Sequence, residues 1–158
     1  MQEILANLDQ TLQEFIIRLL CLPTNQPINP AWSAHDLLSH ITYWHEVYAD
    51  SLTAITQGRQ PNLPQGTYAS INAQAVCVNA EVSSQILVGR LRSAQATIHE
   101  QAPLAAKTGR KIAFKQSSTR RTIPQALQRI EQHIHPRPLS CTAQTSINRP
   151  TADIICVL

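Results

Sequence analysis

Three observations predict that this chain is an all-α protein, a four-helix bundle. Apolar residues recur at three- and four-residue steps in four segments, which is the period of a helix with one buried face. Most of the ten prolines fall between these segments and separate them. The 158 residues include only four glycines and 4% aromatic residues, too few for the turns and packed rings of a β-sandwich or barrel. One helical domain is therefore expected.

The first two helices have the clearest sequence signals. Helix 1 is predicted from about Gln2 to Cys21, because its apolar residues form one stripe. Helix 2 is predicted to follow the N-cap Ser33, since a serine with an acid three residues later forms a capping box. It should end near Gln57, with Gly58 as the stop.

The second half of the bundle is less regular in sequence. A long third helix is predicted from Tyr68 to Gln101, and its apolar stripe drifts along its length. A loop is predicted over 103–121. Helix 4 should begin at the N-cap Thr122 and end before the prolines at 136 and 138. The bundle then takes residues 1–137, and residues 138–158 form an irregular C-terminal tail.

The distribution of charge and the spacing of the cysteines indicate where the protein is located and which partners it binds. Residues 1–100 carry a net charge of −4 and residues 101–158 a net charge of +7, concentrated in a basic stretch at 107–121. That stretch lacks an interleaved pattern of aromatic residues that could stack on bases, so nucleic acid binding is not expected. The four cysteines are scattered, and neither a signal peptide nor a membrane span is recognisable. A cytoplasmic protein with reduced thiols is predicted, without a membrane partner.

The residues that could carry chemistry are found from helical spacing. His40 falls on the apolar face of helix 2 near Trp44, whereas His35 falls on the opposite, solvated face and His45 on a flank. His133 could reach the same interior from helix 4, and the inner face of helix 3 should present Asn72, Asn79, Ala75 and Ile86. Imidazoles and amides that share an interior are costly unless they form a network or line a cavity, so this convergence indicates a polar pocket.

Other chemistries fit the sequence poorly. It contains no nucleophile elbow, phosphate-binding loop, dinucleotide fingerprint or HExxH zinc motif. Glu46 and Asp50 are predicted on the outer face of helix 2, which excludes an inward carboxylate pair. Cys77 has no neighbouring base, and a buried structural thiol is the preferred interpretation.

Residues 32–46 combine Trp32, Ser33, Asp36, His40 and Trp44 in a spacing that resembles the second-helix signature of DinB-like proteins, and most closely the ClbS/DfsB branch. The resemblance extends over about residues 1–137. It implies a four-helix bundle with an up-up-down-down type crossover, often dimeric. It also implies an activity such as that of a thiol-dependent transferase or isomerase. For the ClbS/DfsB branch it implies protection against reactive small molecules.

The resemblance further implies a divalent metal, zinc or nickel, held by three histidines. His40 matches the ligand from helix 2 and His133 the first of two ligands from helix 4. The second of these positions falls on Arg137, which stays protonated and cannot ligate a metal. A catalytic zinc site usually has three protein ligands, and two histidines do not complete it. His135 or an asparagine would have to supply the third ligand.

Together these features predict a cytoplasmic protein that binds a small molecule in the bundle pocket. His40 would be a metal ligand or general base with His133 as its partner, Asn72 an orienting amide and Trp44 a wall. The chemistry would be hydrolysis or thiol transfer in protection against stress or toxins. The sequence leaves open an alternative, a non-catalytic dimeric bundle that mediates interactions and holds no metal.

Overall fold

In a computed structural model of the chain, residues 1–109 and Gln128 are described, and they contain four helices and no strand. The helices are α1 (Gln2–Leu20), α2 (Ala34–Thr56), α3 (Tyr68–Asn79) and α4 (Ser84–Lys107). The all-α four-helix bundle predicted from the sequence is confirmed. Of the predicted fourth helix only Gln128 is described, and it is helical and exposed. The domain boundary predicted at residue 137 and the tail at 138–158 lie outside the described residues.

The predicted start and end of the second helix are confirmed in detail. The Ser33 hydroxyl accepts a hydrogen bond from the Asp36 N–H, and the Asp36 carboxylate accepts one from the Ser33 N–H at 2.8 Å, which completes the capping box. Gly58 ends the helix at φ 73°, and Arg59 donates its N–H to the Ala54 carbonyl at 2.8 Å. This is a Schellman closure, which uses a left-handed glycine to satisfy the last carbonyls.

The predicted continuous helix over 68–101 is wrong, because two helices, α3 and α4, take its place. Thr67 caps α3, and Ser83 starts α4 by accepting the N–H of Ile86. At the break, the buried Asn79 side chain accepts a hydrogen bond from Arg90 at 2.8 Å, so tertiary contacts hold the turn at 80–83. Helix α4 also continues past Pro103, where a loop was predicted, because the buried Ala102 and Ala105 keep its last turns packed.

The core forms around α2, which packs most extensively against α4 and less extensively against α3, while α1 also contacts α4. We call its fully buried aliphatic part the aliphatic core, formed by Leu8, Leu12, Ile16, Leu52, Leu87, Leu91 and Ile98. Burial of these side chains is the main favourable contribution to folding. Within residues 1–109, no helix is both long and apolar enough to cross a membrane.

Candidate functional site

The candidate site begins at the first turns of α2, which the preceding loop holds in place. The Asn29 side-chain oxygen accepts the backbone N–H groups of Ala31 and Trp32 at 2.8 and 2.9 Å. This local turn is the usual role of asparagine in a loop. The loop also receives the first N–H groups of α2, because Ala34 donates to the Gln26 carbonyl and His35 to that of Thr24. Trp32 is therefore fixed beside the start of the helix.

His40 lies inside a group of rings that we call the aromatic cluster, formed by Trp32, His40, Tyr43, Trp44 and Tyr68. The predicted inward orientation of His40 is confirmed, since only 2% of it is exposed. Its ring centroid lies 4.7 Å from that of Trp32 and 6.5 Å from that of Trp44. These separations are typical of tilted and edge-to-face ring contacts. Indole rings therefore lie beside the imidazole on two sides.

Trp44 connects the cluster to α3. Its indole N–H donates a buried hydrogen bond of 2.9 Å to the Asn72 side-chain oxygen. Its ring also lies 5.8 Å from Tyr43 and 6.1 Å from Tyr68, centroid to centroid. Spacing had predicted that Trp44 and Asn72 face the same interior, and the hydrogen bond confirms it. Burial raises the pKa of the Tyr43 phenol above 10.0, so this hydroxyl stays neutral at physiological pH.

The described residues do not by themselves supply a metal site. Within residues 1–109 and 128, no group of three or more histidine, cysteine, aspartate or glutamate side chains could hold a metal ion. Among the described residues, the rings of Trp32 and Trp44 lie beside His40, whereas a zinc site needs three or four donor atoms directed at one point. His133, the predicted partner of His40, lies outside the described residues. So does Arg137, which occupies the position of the third metal ligand. The metal ligand pair His40 and His133 therefore stays a prediction.

Two other histidines of α2 are more constrained than expected. His35 was predicted on the solvated face, which is wrong. It is half-buried and its Nε2 lies 2.8 Å from the Val82 carbonyl oxygen, so that nitrogen must carry the proton and donate. The break between α3 and α4 brings residue 82 against the first turn of α2, and a continuous helix would not have done so. His45 is fully buried, with Nδ1 3.1 Å from the Ile41 carbonyl oxygen.

Sequence reasoning missed an ion pair that joins three helices. Glu46, predicted on the outer face, accepts two hydrogen bonds from the Arg90 guanidinium, at 2.6 and 2.7 Å. Arg90 donates a third to Asn79, whose own amide donates to the Ala75 carbonyl. Hydrogen bonding to Glu46 raises the pKa of Arg90, and the nearby negative charge adds to the rise although partial burial opposes it. The polar atoms of Asn79 thus serve this structural contact, so Asn79 is not a pocket residue.

Two further corrections concern surface residues. Cys77 was predicted to be a buried thiol, but it is exposed, because it lies on the side of α3 that faces away from α2. Ile86 was predicted on the inner face and is also exposed, since the new helix start at Ser84 changes its register. The error at Ile86 follows from treating α3 and α4 as one helix, whereas Cys77 lies within α3 and the break does not account for its exposure.

A cavity of about 610 Å³ lies on another side of α2, between the end of α1, the first turn of α2 and the α3–α4 connection. His35, Leu38 and Val82 line it, together with several serines and the exposed Glu81. His40, Trp44 and Asn72 are not among its lining residues. It is therefore a different feature from the aromatic cluster.

No protein-family model, curated protein or solved structure matches this chain. We therefore infer the role of the candidate site from the geometry of its residues.

Proposed function

We propose that the chain is a DinB-like bundle protein of the cytoplasm that binds a small polar or electrophilic molecule at the aromatic cluster. The burial of His40 between two indoles, with Asn72 hydrogen-bonded to one of them, carries the proposal. A titratable imidazole and a carboxamide are costly to keep among rings in a protein that uses them only for packing. The resemblance of residues 32–46 to the DinB-like signature supports the same interpretation.

In the proposed reaction, His40 acts as a general base on a water molecule. An imidazole nitrogen takes a proton from the water as its oxygen attacks the electrophilic carbon of the ligand, and the proton then passes to the leaving group. The rings around His40 would exclude bulk water and form the walls against which an apolar part of the ligand packs. Protection against reactive small molecules, the role implied by the resemblance, is consistent with hydrolysis of an electrophile, and we propose that role for a homodimer.

The test uses p-nitrophenyl acetate, an activated ester whose hydrolysis releases acetate and p-nitrophenol, which is coloured as the phenolate. We expect His40→Gln to lower the rate above background by about 100-fold or more, as loss of a general base does. The matched control is His99→Gln, because His99 pairs with Asp9 at 2.7 Å between α4 and α1, outside the aromatic cluster. Circular dichroism and urea unfolding of each variant would exclude loss of fold as the cause.

Equal rates for the wild type and His40→Gln would contradict the proposed chemistry and favour the alternative of a non-catalytic interaction bundle. Metal content is measured in the same samples, purified without a histidine tag. About one zinc or nickel ion per chain, lost in both His40→Gln and His133→Gln, would support the predicted ligand pair. A metal content unaffected by these substitutions would show that His40 is not a metal ligand.

A further inference from the structure

The cavity of about 610 Å³ lies where three parts of the chain are fixed against one another. The Val82 carbonyl of the α3–α4 connection accepts the Nε2–H of His35, in the first turn of α2, at 2.8 Å. The loop that follows α1 is joined to the same turn, since the Thr24 and Gln26 carbonyls accept the backbone N–H groups of His35 and Ala34. These contacts involve the chain alone, so the walls are in place before a ligand binds. The volume is in the range of small-molecule sites.

One wall of this cavity is apolar, and we call it the leucine wall. It consists of Leu19 and Leu20 at the end of α1, Leu22 just after it, and Leu38 of α2. Leu38 is buried whereas Leu20 is 51% exposed, so the apolar surface extends from the interior to the solvent. A ligand chain that covered this wall would remove apolar surface from water on both sides of the contact, which favours binding in proportion to the area covered.

The charge on the lining determines which polar group of a ligand would suit the cavity. Among the described residues that line it, none is a lysine or arginine, and Glu81 is the only one with a formal charge. The exposed Glu81 carboxylate makes no ion pair or hydrogen bond with the described part of the chain. A positively charged group therefore complements this lining, whereas a carboxylate or phosphate would meet a like charge.

The two helices that start at the cavity do not favour an anion instead. The first turn of α2 contains Asp36, whose carboxylate accepts the Ser33 N–H, and the first N–H groups of this helix donate to loop carbonyls. Helix α4 is capped by Ser83, two residues after Glu81. A carboxylate is thus present near each helix start, where it opposes the attraction of a helix N-terminus for anions.

We propose that this cavity binds a small organic cation, an amine that carries an apolar chain. The ammonium group lies beside the Glu81 carboxylate, and the apolar chain packs along the leucine wall. The Ser84 hydroxyl also lines the cavity and makes no hydrogen bond with the described residues, so it is a second acceptor for the ammonium N–H groups. The inference does not rest on the proposed function, because no residue of the aromatic cluster belongs to this described lining.

The test titrates the ¹⁵N-labelled full chain with four probes at constant ionic strength and about pH 7, where an alkylamine is protonated. Hexylamine, 1-hexanol and hexanoate share one apolar chain and carry a positive, a neutral and a negative group, and butylamine keeps the amine on a shorter chain. The backbone N–H resonances of Ser33, Val82 and Ser84 report binding in the cavity. The indole N–H resonance of Trp44 reports binding at the aromatic cluster.

We expect hexylamine to bind about 3- to 5-fold more tightly than 1-hexanol, which is the contribution of one exposed ion pair. Hexanoate should bind most weakly, because its charge has the same sign as that of Glu81. Hexylamine should also bind about 10-fold more tightly than butylamine, since two more methylene groups cover the leucine wall.

Glu81→Gln should abolish the preference for hexylamine over 1-hexanol, because it removes the charge and keeps the size of the side chain. The matched control is Glu100→Gln, the same change at an exposed position of α4 outside the lining, which should leave the preference intact. Leu20→Ala should weaken hexylamine binding about 3-fold, since it removes part of the leucine wall. Its control is Leu104→Ala, at a similarly exposed leucine of α4 that does not line the cavity.

Three kinds of result would overturn the inference. Equal affinities for hexylamine and 1-hexanol, or a preference that survives Glu81→Gln, would show that the cavity does not select a cation. Equal affinities for hexylamine and butylamine would mean that the amine pairs with Glu81 at the surface without entering. Shifts at the Trp44 indole alone, or no shifts from any probe, would show that the cavity is not a binding site, and the ester assay would still decide the proposed function.

Discussion

The aliphatic core and the aromatic cluster share helix α2 but are held together by different forces. The aliphatic core consists of leucines and isoleucines whose contacts have no preferred direction, so burial alone accounts for them. In the aromatic cluster, an imidazole lies between two indoles and one indole donates to an amide on the next helix. Those contacts require particular atoms at particular distances. We infer that the first region supplies most of the stability and the second the specificity.

The largest expected effect tests whether stability resides in the aliphatic core. Leu91 is fully buried in α4, and Leu91→Ala should lower the free energy of unfolding by about 2 to 5 kcal/mol, through lost apolar burial and the cavity that remains. Urea unfolding followed by circular dichroism measures the change. The control is Leu104→Ala, the same truncation in the same helix at a residue that is 46% exposed, for which we expect a much smaller loss.

Losses of similar size for Leu91→Ala and Leu104→Ala would contradict this assignment. The native-state tryptophan fluorescence of Leu91→Ala is informative as well. It should match that of the wild type if the aromatic cluster is packed independently of the aliphatic core, and a shifted spectrum would show that the two regions are coupled.

A smaller effect is expected at the N-terminus of α2, which carries the aromatic cluster. Ser33→Ala removes the acceptor of the Asp36 N–H and the donor of a 2.8 Å bond to the Asp36 carboxylate, so it should cost about 1 kcal/mol. Ser83→Ala is the comparison, because Ser83 caps α4 with a longer contact of 3.4 Å and without an acidic partner. We expect the loss at Ser33 to exceed the loss at Ser83 in the same urea assay.

Ser33→Ala also sharpens the contrast between the two regions. The indole of Trp32 directly precedes the cap and contacts His40 at 4.7 Å, so loosening the first turn should change the tryptophan emission as well as the stability. An unchanged spectrum, or a larger loss at Ser83, would show that the loop closed by Asn29 holds Trp32 without help from the cap.

The contrast also explains which parts of the molecule the sequence could predict. The apolar stripe of α1, the capping box of α2 and the glycine that ends α2 depend on residues within one or two turns of each other, and all three are confirmed. The inward position of His40 followed from the same local periodicity. Its contact with Trp32 did not, because it depends on how the loop before α2 folds back.

The errors share one physical cause, which is that distant contacts decided a local question. Residues 68–101 have a helical period throughout, and the break at 80–83 is held by hydrogen bonds from Arg90 to Asn79 and from His35 to Val82. The second of these joins residues 47 positions apart. Local spacing cannot predict such partners, and so Glu46 and His35 were both assigned to solvent. Ser83, a good N-cap residue, was the one available local signal.

The smallest expected effect concerns pH and tests the enclosure of the aromatic cluster. Burial raises the pKa of the Tyr43 phenol above its ordinary value of 10.0. The unfolded chain therefore loses this proton at a lower pH than the folded protein. The stability that depends on the neutral phenol is fully present below pH 10 and is lost as the pH rises through the higher folded-state pKa.

Tyr43→Phe removes that titration, so the wild type should lose stability relative to the variant only above about pH 10. Urea unfolding of both proteins at pH 8 and at several values above 10 gives the difference directly. The other two tyrosines are present in both proteins, and their titration cancels unless the substitution disturbs it. A difference that stays constant across this range would mean that the Tyr43 hydroxyl is fully solvated and that the aromatic cluster does not enclose it.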